Sequence, residues 1–274
     1  MDNIKQPVEY IDPLIALSRL ASNSILDFYQ KKEIAVSYKA NNTPLTEADI
    51  ASHRIISDGL EQLTPDVPII SEESKSIAFL TRRQWSTYWL IDPLDGTREF
   101  IERSDQFSTN IALIVNHRPV VGVIFSPVDE TCYYAAKDHG AYKFTCDHSA
   151  RKIYTRSVPI VANNPQYTIV VSSRYNKQRI ANLSDRLGSA NKLIMGSSLK
   201  MCLIAEGKAD LYPRFGPTGE WDTAAAHIIL QEAGGLIETM ECQPLEYNRK
   251  ESLINPSFYA VGDTNMPWHR HFFK

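Results

Sequence analysis

Acidic side chains at four places along the chain have the types and spacing of a site for hard metal ions. The longest motif, Asp92-Pro93-Leu94-Asp95-Gly96-Thr97, directly follows an apolar run that is typical of a strand. The other three motifs are Thr46-Glu47-Ala48-Asp49, Ser71-Glu72-Glu73 and Trp221-Asp222-Thr223. Ligands collect at strand ends in layered α/β proteins, so the first motif marks the expected centre of the site.

The first half of this motif supplies oxygen ligands. Pro93 holds Asp92 extended and turns the chain, which lets Asp95 fold back toward Asp92. The Leu94 carbonyl, caught between them, has no partner in the sheet and can act as a ligand. Two carboxylates and a carbonyl, without histidine or cysteine, select a cation such as Mg2+. Two such ions ~3.5–4 Å apart can hold the attacking water and the leaving oxygen of an in-line phosphoryl displacement.

The second half of the motif suits an anion. Gly96 permits a left-handed backbone or a close approach to a ligand. Thr97 stands where a new helix would begin, so its hydroxyl and the helix N-terminus can both face a phosphate.

Taken one at a time, these residues have ordinary structural explanations. Asp95 before a glycine is a common turn residue, and Asp222 and Thr97 can each cap a helix. Asp49 fits the acidic position of a capping box, and Glu72 resembles a solvated surface charge. The six-residue motif after a strand is what favours the chemical interpretation, and it extends that interpretation to the other three places.

Composition excludes several other classes of protein. The chain has 274 residues, 43% of them hydrophobic, and a net charge of −3, which predicts a substantial core and argues against a partner that is polymeric nucleic acid. Its four cysteines are widely spaced without a CxxC pair, so we expect free thiols, a reducing cytoplasm and no zinc site. No signal peptide and no apolar run long enough for a transmembrane segment is apparent.

Hydrophobic periodicity predicts an α/β protein with two subdomains packed as layers. Helices are expected to begin at Asp12 and at Thr46, followed by strands and an antiparallel meander over residues 107–136. After about residue 150, strands and helices alternate. We therefore predict an N-terminal α+β subdomain, residues 1–150, with most of the metal ligands, and a C-terminal α/β subdomain, residues 151–274, that contributes Asp222.

At the acidic motifs the sequence resembles the inositol monophosphatase superfamily. The signature of that superfamily, a strand followed by Asp-Pro-(Ile/Leu)-Asp-Gly-Thr and later Trp-Asp-x-Ala-Ala, matches residues 89–97 and 221–225. The resemblance covers nearly the whole chain and implies the layered α/β/α/β/α sandwich of the inositol monophosphatase and sugar phosphatase type, with Mg2+ dependence and inhibition by lithium.

Within the superfamily, the chain looks most like the CysQ-type branch, the 3'(2'),5'-bisphosphate nucleotidases. Four stretches carry this finer match: residues 44–49, 95–101, 196–200 and 211–218. The branch implies hydrolysis of 3'-phosphoadenosine 5'-phosphate to AMP and phosphate by metal-activated water, with 3'-phosphoadenylyl sulfate as a second substrate. It also implies a cytoplasmic monomer or homodimer, and it permits peripheral attachment to the cytoplasmic face of a bacterial inner membrane.

The resemblance assigns roles to individual residues. Glu72, Asp92 and the Leu94 carbonyl would hold one Mg2+; Asp92, Asp95 and Asp222 would hold a second; a third, weaker ion would use Glu72 and waters. Asp49 and Thr97 would orient and deprotonate the nucleophilic water, with Glu72 also at the catalytic centre. Substrate contacts would come from the following residues: Glu72, Leu94, Asp95, Gly96, Thr97, Ser197, Lys200, Arg214 and Asp222.

Two departures from the branch pattern bear on the substrate. Asn41 stands where the branch usually carries Asp, and Tyr175 lies in a run where the branch tends to show His. An inositol monophosphatase or a sugar-bisphosphate phosphatase would use the same metal ligands. The cations Lys200 and Arg214 are the discriminating residues, because a monophosphate substrate has less need of them than a nucleotide bisphosphate. A non-catalytic sensor of metal or phosphonucleotide is a third hypothesis, and the complete acidic set argues against it.

Overall fold

A computed structural model describes residues 5–39, 42–146, 149–162, 164–188 and 190–272. Its helices, apart from two short 3-10 turns, are α1 (Ile11–Tyr29), α2 (Glu47–Leu63), α3 (Phe79–Arg82), α4 (Thr97–Ile101), α5 (Lys177–Arg186), α6 (Leu199–Ala205), α7 (Ala224–Glu232) and α8 (His269–Phe272).

The first two helices begin in different ways. A 3-10 turn, Pro7–Tyr10, leads directly into α1, so Asp12 lies inside the first turn of the helix, and the predicted start at Asp12 was late. Helix α2 begins as predicted, because Thr46 and Asp49 form a reciprocal capping box that satisfies exposed amides of the first turn.

A seven-stranded sheet follows a small hairpin of β1 (Val36–Tyr38) and β2 (Pro44–Thr46). The sheet contains β3 (Ile69–Ser71), β4 (Thr87–Asp95), β5 (Ser108–Val115), β6 (Arg118–Ser126), β7 (Thr131–Ala136), β8 (Gly140–Phe144) and β9 (Arg151–Ile153), in that spatial order. Only β3 and β4 are parallel; the remaining neighbours form the predicted antiparallel meander, extended by two further strands.

The second half of the chain builds a five-stranded sheet. A short antiparallel pair, β10 (Ile160–Val161) and β11 (Asn164–Pro165), precedes it. The sheet contains β12 (Tyr167–Val171), β13 (Ala190–Ile194), β14 (Leu211–Arg214), β15 (Leu236–Thr239) and β16 (Phe258–Val261), in the order β13-β12-β14-β16-β15. Strands β12, β13 and β14 are parallel, as expected for strands joined through helices.

Three buried clusters show how the layers stack. Helices α1 and α2 cover one face of the seven-stranded sheet, and α6 and α7 fill the space between the two sheets. Helices α5 and α8 cover the outer face of the five-stranded sheet. The result is the α/β/α/β/α sandwich that the family resemblance implied.

Helix α7 packs very closely on strand β6. A Cβ atom added at Gly122 would lie 2.5 Å from the carbonyl oxygen of Ala225 and equally close to the Ile228 side chain. The absence of a side chain at this position therefore lets α7 rest directly on the sheet.

The predicted subdomain boundary at residue 150 falls close to the division between the two sheets. Strand β9 of the seven-stranded sheet lies just after this boundary, and the division into subdomains stays a prediction. All four cysteines are unpaired thiols. None of the helices in the described part of the chain combines the length and the hydrophobicity that a membrane crossing needs.

Candidate active site

The parallel pair β3 and β4 brings the first two acidic motifs together. Ser71 is the register partner of Ile91, so both strands end at the same edge of the sheet. Just past that edge, the Glu72 amide donates to the Ile91 carbonyl at 3.2 Å. Glu72, just past the end of β3, therefore lies beside Asp92 in the last part of β4, which continues to Asp95. The carboxyl ends of parallel strands are where ligands bind in α/β proteins.

Asp222 joins these two carboxylates from the second half of the chain. It ends a 3-10 turn, Glu220–Asp222, just before α7, and its Oδ2 accepts a hydrogen bond from the Gly219 amide at 2.9 Å. One carboxylate oxygen from each of Glu72, Asp92 and Asp222 lies within 4.8 Å of the other two. This group of three combines members of the two ligand sets that the family resemblance implies. Glu72 belongs to the first set, Asp222 to the second, and Asp92 to both.

This convergence is electrostatically unfavourable without a cation. Burial raises the pKa of Asp92 well above its usual range, and the negative charges of Glu72, Asp95 and Asp222 raise it further. Burial, followed by the charges of Asp95 and Glu72, raises the pKa of Asp222 in the same direction. Mutual repulsion of this kind is typical of carboxylates arranged to share positive charge.

Asp95 is held at the edge of this group by groups distant in sequence. The strand register shifts between Asp92 and Asp95, which marks a bulge. Asp95 Oδ2 accepts hydrogen bonds from the amide and hydroxyl of Ser198, each at 2.6 Å, and from Asn110 Nδ2 at 3.2 Å. Among the described residues, every hydrogen bond of this carboxylate meets Oδ2, so Oδ1 is the atom available to a cation.

Asp49 connects the N-terminus of α2 to the motif at the end of β4. Its Oδ2 accepts the amide and the hydroxyl of Thr46, at 2.7 and 2.5 Å, and its Oδ1 accepts the Thr97 hydroxyl at 3.0 Å. The Thr97 hydroxyl also lies 3.3 Å from the Leu94 carbonyl oxygen. Burial raises the pKa of Asp49 in spite of these hydrogen bonds. The capping role and the contact with Thr97 hold simultaneously.

Gly96 adopts the left-handed conformation that its position in the motif anticipated, with φ of +92°, and it immediately precedes α4. An added Cβ would lie 3.1 Å from the Gln106 carbonyl oxygen, so a larger residue would strain both the backbone and its surroundings.

Six of the nine predicted substrate residues line one cavity of about 280 Å3: Asp95, Gly96, Ser197, Lys200, Arg214 and Asp222. Glu72, Leu94 and Thr97 are not among its lining residues. Asp95, Gly96 and Asp222 form its acidic end, and Ser197, Lys200 and Arg214 contribute to its walls. Lys200 is 7% exposed, donates to the Ser197 carbonyl and lies over the Tyr212 ring, so it is no ordinary surface charge. Arg214 donates to the carbonyls of Gly216 and Pro217, at 3.1 and 2.7 Å, which orients its guanidinium beside the cavity.

A second cavity of about 260 Å3 adjoins the first and shares the wall residues Ser172, Arg174, Tyr212 and Arg214 with it. Tyr175 and Phe215 line this second cavity, and the Arg179 guanidinium lies 5.3 Å from the centre of the Phe215 ring. The Asn41 departure lies outside the described residues.

Sequence reasoning missed several residues of the site. Lys39 Nζ donates to Glu72 Oε1 at 2.8 Å and to Glu73 Oε1 at 2.7 Å, which places a cation at the edge of the acidic group. Ser198 and Asn110 hold Asp95, although only Ser198 stood in a motif quoted from the sequence. Arg174, in the loop after β12, donates to Glu99 and to Glu102, and both Arg174 and Glu99 line the first cavity.

The residues present fit Mg2+. The donors are carboxylates and one carbonyl, with no soft ligand among them. Burial and the neighbouring carboxylates raise the pKa values of Asp92 and Asp222, so their ionised forms are unfavourable here unless a cation compensates the charge.

Comparisons with known proteins agree with this geometry. The model of the inositol monophosphatase family matches residues 6–267. The 3'(2'),5'-bisphosphate nucleotidase CysQ of Escherichia coli K12 is 43% identical over 249 residues, which are 90% of this chain and 98% of that protein. The CysQ protein of Aggregatibacter actinomycetemcomitans is 40% identical over 263 residues, 96% of each chain.

Solved structures give the same result for the fold. CysQ from Bacteroides thetaiotaomicron, a bacterial member of the inositol monophosphatase family, has a TM-score of 0.76 and 36% identity, covering 92% of this chain and 97% of that one. The SuhB protein from Bartonella henselae has a TM-score of 0.78 at 21% identity, covering 97% and 99%, which supports the fold alone. This chain therefore belongs to the inositol monophosphatase family and, within it, to the branch of its CysQ relatives.

Proposed function

We propose that this protein is a Mg2+-dependent phosphatase that removes the 3'-phosphate of 3'-phosphoadenosine 5'-phosphate, giving AMP and phosphate, and that 3'-phosphoadenylyl sulfate is a second substrate. One observation carries the proposal. Asp95 and Asp222 line the same cavity as Arg174, Lys200 and Arg214, so an acidic end suited to metal faces a wall suited to a second anionic group.

Glu72, Asp92 and the Leu94 carbonyl would hold one Mg2+, and Asp92, Asp95 and Asp222 a second, with a weaker third ion at Glu72. When bound, Mg2+ supplies positive charge for the phosphoryl oxygens and activates water. The triad of Glu72, Asp92 and Asp222 supports this arrangement, because its oxygens already converge.

The groups beside the carboxylates would handle the proton and the phosphate. The Thr97 hydroxyl donates to Asp49, so its oxygen lone pair is directed away from Asp49 and can accept from a water molecule. Asp49, buried and with a raised pKa, would take the proton through this contact. The amides of Gly96 and Thr97, next to the cavity, would bind the phosphoryl oxygens.

The nucleotide assignment rests on the cations and on the neighbouring cavity. A 3',5'-bisphosphate has a second phosphate that Lys200, Arg174 and Arg214 can bind, whereas a monophosphate lacks it. The aromatic lining by Tyr175 and Phe215 suits the purine ring in the adjoining cavity. The names of the CysQ relatives support the same substrate class.

The direct test measures phosphate release with Mg2+ from 3'-phosphoadenosine 5'-phosphate, AMP and inositol 1-phosphate under identical conditions, with and without Li+. We expect strong preference for the bisphosphate and inhibition by Li+. Preference for inositol 1-phosphate would retain the metal chemistry and overturn the nucleotide assignment. A matched control is Asp105→Asn, which alters an exposed carboxylate paired with Tyr29 outside the site and should keep full activity.

Cellular location in the cytoplasm, attachment to a membrane surface and the choice between monomer and homodimer stay predictions.

A further inference from the structure

A buried hydrogen-bonded cluster joins the turn that carries Asp222 to the helix α3, which follows the loop that begins at Glu72. Its members are Arg82 on α3, Glu220 in the turn before α7, and Asn248 in the loop between β15 and β16; we call these three residues the clamp. We propose that the clamp is a positioning device that holds Asp222 in register with the carboxylates at the end of the seven-stranded sheet.

The contacts of the clamp are direct and continuous. Arg82 donates to Asn248 Oδ1, and Asn248 Nδ2 donates back to the Arg82 carbonyl at 2.6 Å. The backbone N–H of Asn248 donates to Glu220 Oε2 at 2.7 Å. Arg82 also donates to the Glu251 carbonyl, which fixes the same loop at a second point.

One end of the clamp lies two residues from a candidate metal ligand, and the other lies on the helix that follows the Glu72 loop. Glu220 and Asp222 belong to the same 3-10 turn, and the Glu220 amide is itself tied to the Leu253 carbonyl at 2.8 Å. At the other end, α3 follows the loop that starts at Glu72 and Glu73. The loop carrying Asn248 therefore links the turn that holds Asp222 to the helix that follows the Glu72 loop.

The chemical make-up of the clamp favours a geometric role over a simple contribution to stability. Arg82 is 2% exposed, and Glu220 and Asn248 are 1% exposed each. Burying a guanidinium and a carboxylate carries a large desolvation cost, and well-packed apolar residues often give equal stability. Directional hydrogen bonds, in contrast, fix the groups that make them in one arrangement. The turn bearing Asp222 is thereby held against displacement along or away from the sheet.

The inference rests on the metal centre of the proposed function, so its test measures metal binding directly. Mn2+ serves as the probe, and its dissociation constant is measured by electron paramagnetic resonance, far below the unfolding midpoint of each variant. We expect Arg82→Met and Glu220→Leu each to weaken Mn2+ binding about ten-fold, as removal of groups that orient metal ligands typically does. Glu220→Gln should restore most of the affinity, because its amide oxygen still accepts from the Asn248 amide.

Two matched variants complete the design. Arg83→Met removes an exposed arginine from the residue next to Arg82 and should leave Mn2+ binding unchanged. Arg82→Lys keeps the buried charge with fewer donors, so it supplies a milder variant should Arg82→Met fail to fold, and it should give an intermediate loss. The double variant Arg82→Met with Glu220→Leu should be little worse than either single change, since both act through one clamp.

The outcomes separate the clamp from the metal centre. If Asp222→Asn weakens Mn2+ binding while the folded clamp variants bind as tightly as the unmodified protein, the clamp only stabilises the fold and the inference is overturned. If Asp222→Asn itself leaves Mn2+ binding unchanged, the metal centre of the proposed function fails and the positioning role falls with it. Weakened binding in Asp222→Asn, Glu220→Leu and Arg82→Lys, with recovery in Glu220→Gln, supports the inference.

Discussion

The Thr97 hydroxyl donates a hydrogen bond of 3.0 Å to Asp49 Oδ1, while the other oxygen of that carboxylate receives the amide and hydroxyl of Thr46. The capping box of α2 thus fixes a carboxylate at the end of β4. Because one oxygen is engaged in the cap, the other is presented to Thr97 in a defined direction.

Thr97→Val tests this pair, because valine keeps the branched shape and removes only the hydroxyl. We expect kcat to fall by about 10²–10⁴-fold, the range for loss of general acid–base assistance, with Mn2+ affinity nearly unchanged. Thr97→Ser retains the hydroxyl and should keep most of the activity. Steady-state kinetics on the bisphosphate make the comparison, and equal losses in Val and Ser variants would contradict a role for the hydroxyl.

Asp95→Asn tests the metal-ligand assignment. The amide removes the charge but can still accept from the Ser198 amide, so the contact that holds this residue to α6 survives in part. We expect Mg2+-dependent phosphate release to drop by at least about 10²-fold, while the far-UV circular dichroism spectrum stays the same. Turnover retained within a few-fold of the original protein would refute Asp95 as a ligand.

The dependence on pH should be coupled to the concentration of Mg2+. Burial and the surrounding carboxylates raise the pKa of Asp92 and of Asp222, so on acidification these groups take up protons earlier than ordinary aspartates. Protons and Mg2+ compete for the same oxygens, and apparent Mg2+ affinity should fall as the pH is lowered. The acid limb of the activity profile should therefore move to lower pH as Mg2+ is increased. An acid limb that stays fixed over a hundred-fold range of Mg2+ would disagree with this competition.

Arg174→Ala tests the second phosphate. Arg174 lines both cavities and pairs with Glu99, which lines the first cavity, and with Glu102. Its loss should raise KM for the bisphosphate about ten-fold and KM for a slowly hydrolysed monophosphate much less, because a charge-assisted contact is removed from only one of them. Glu102→Gln breaks one ion pair and keeps the guanidinium, so it is the matched control. Equal changes in KM for both substrates would count against Arg174 as a phosphate ligand.

The local parts of the site could be predicted because their causes are local. Asp92, Asp95, Gly96 and Thr97 occupy one motif, and the structure places the left-handed glycine and the start of a helix where the motif predicted them. The strand end was predicted too early, because β4 continues through Asp95 and not only to Ile91. The capping box of Asp49 is also readable from three-residue spacing. Hydrophobic periodicity, which records burial along each element, predicted two layered α/β subdomains, and the order of the layers came from the family resemblance.

The contacts between distant segments could not be predicted in this way. Ser198 meets Asp95 across 103 positions of sequence, and Arg82 meets Asn248 across 166, with no local pattern to mark either pair. Lys39 lies in a short hairpin that the periodicity did not indicate, so its contact with Glu72 was equally hidden. Such pairs depend on how the layers stack, which a single sequence specifies only through its complete fold.

Because Gly122 has no side chain, helix α7 packs directly on strand β6, and this close packing determines how far Asp222 lies from the sheet. Helix α7 starts two residues after Asp222 and rests on β6 where a single added carbon would meet the Ala225 carbonyl at 2.5 Å. A methyl group at this buried position would push α7 away from the sheet. The turn that precedes the helix would move with it, and the Asp222 carboxylate would be displaced from those of Glu72 and Asp92. A misplacement of about 1 Å in a catalytic site can cost on the order of 10²-fold in rate. Catalysis therefore depends on the absence of a side chain at Gly122, a residue that contacts neither metal nor substrate.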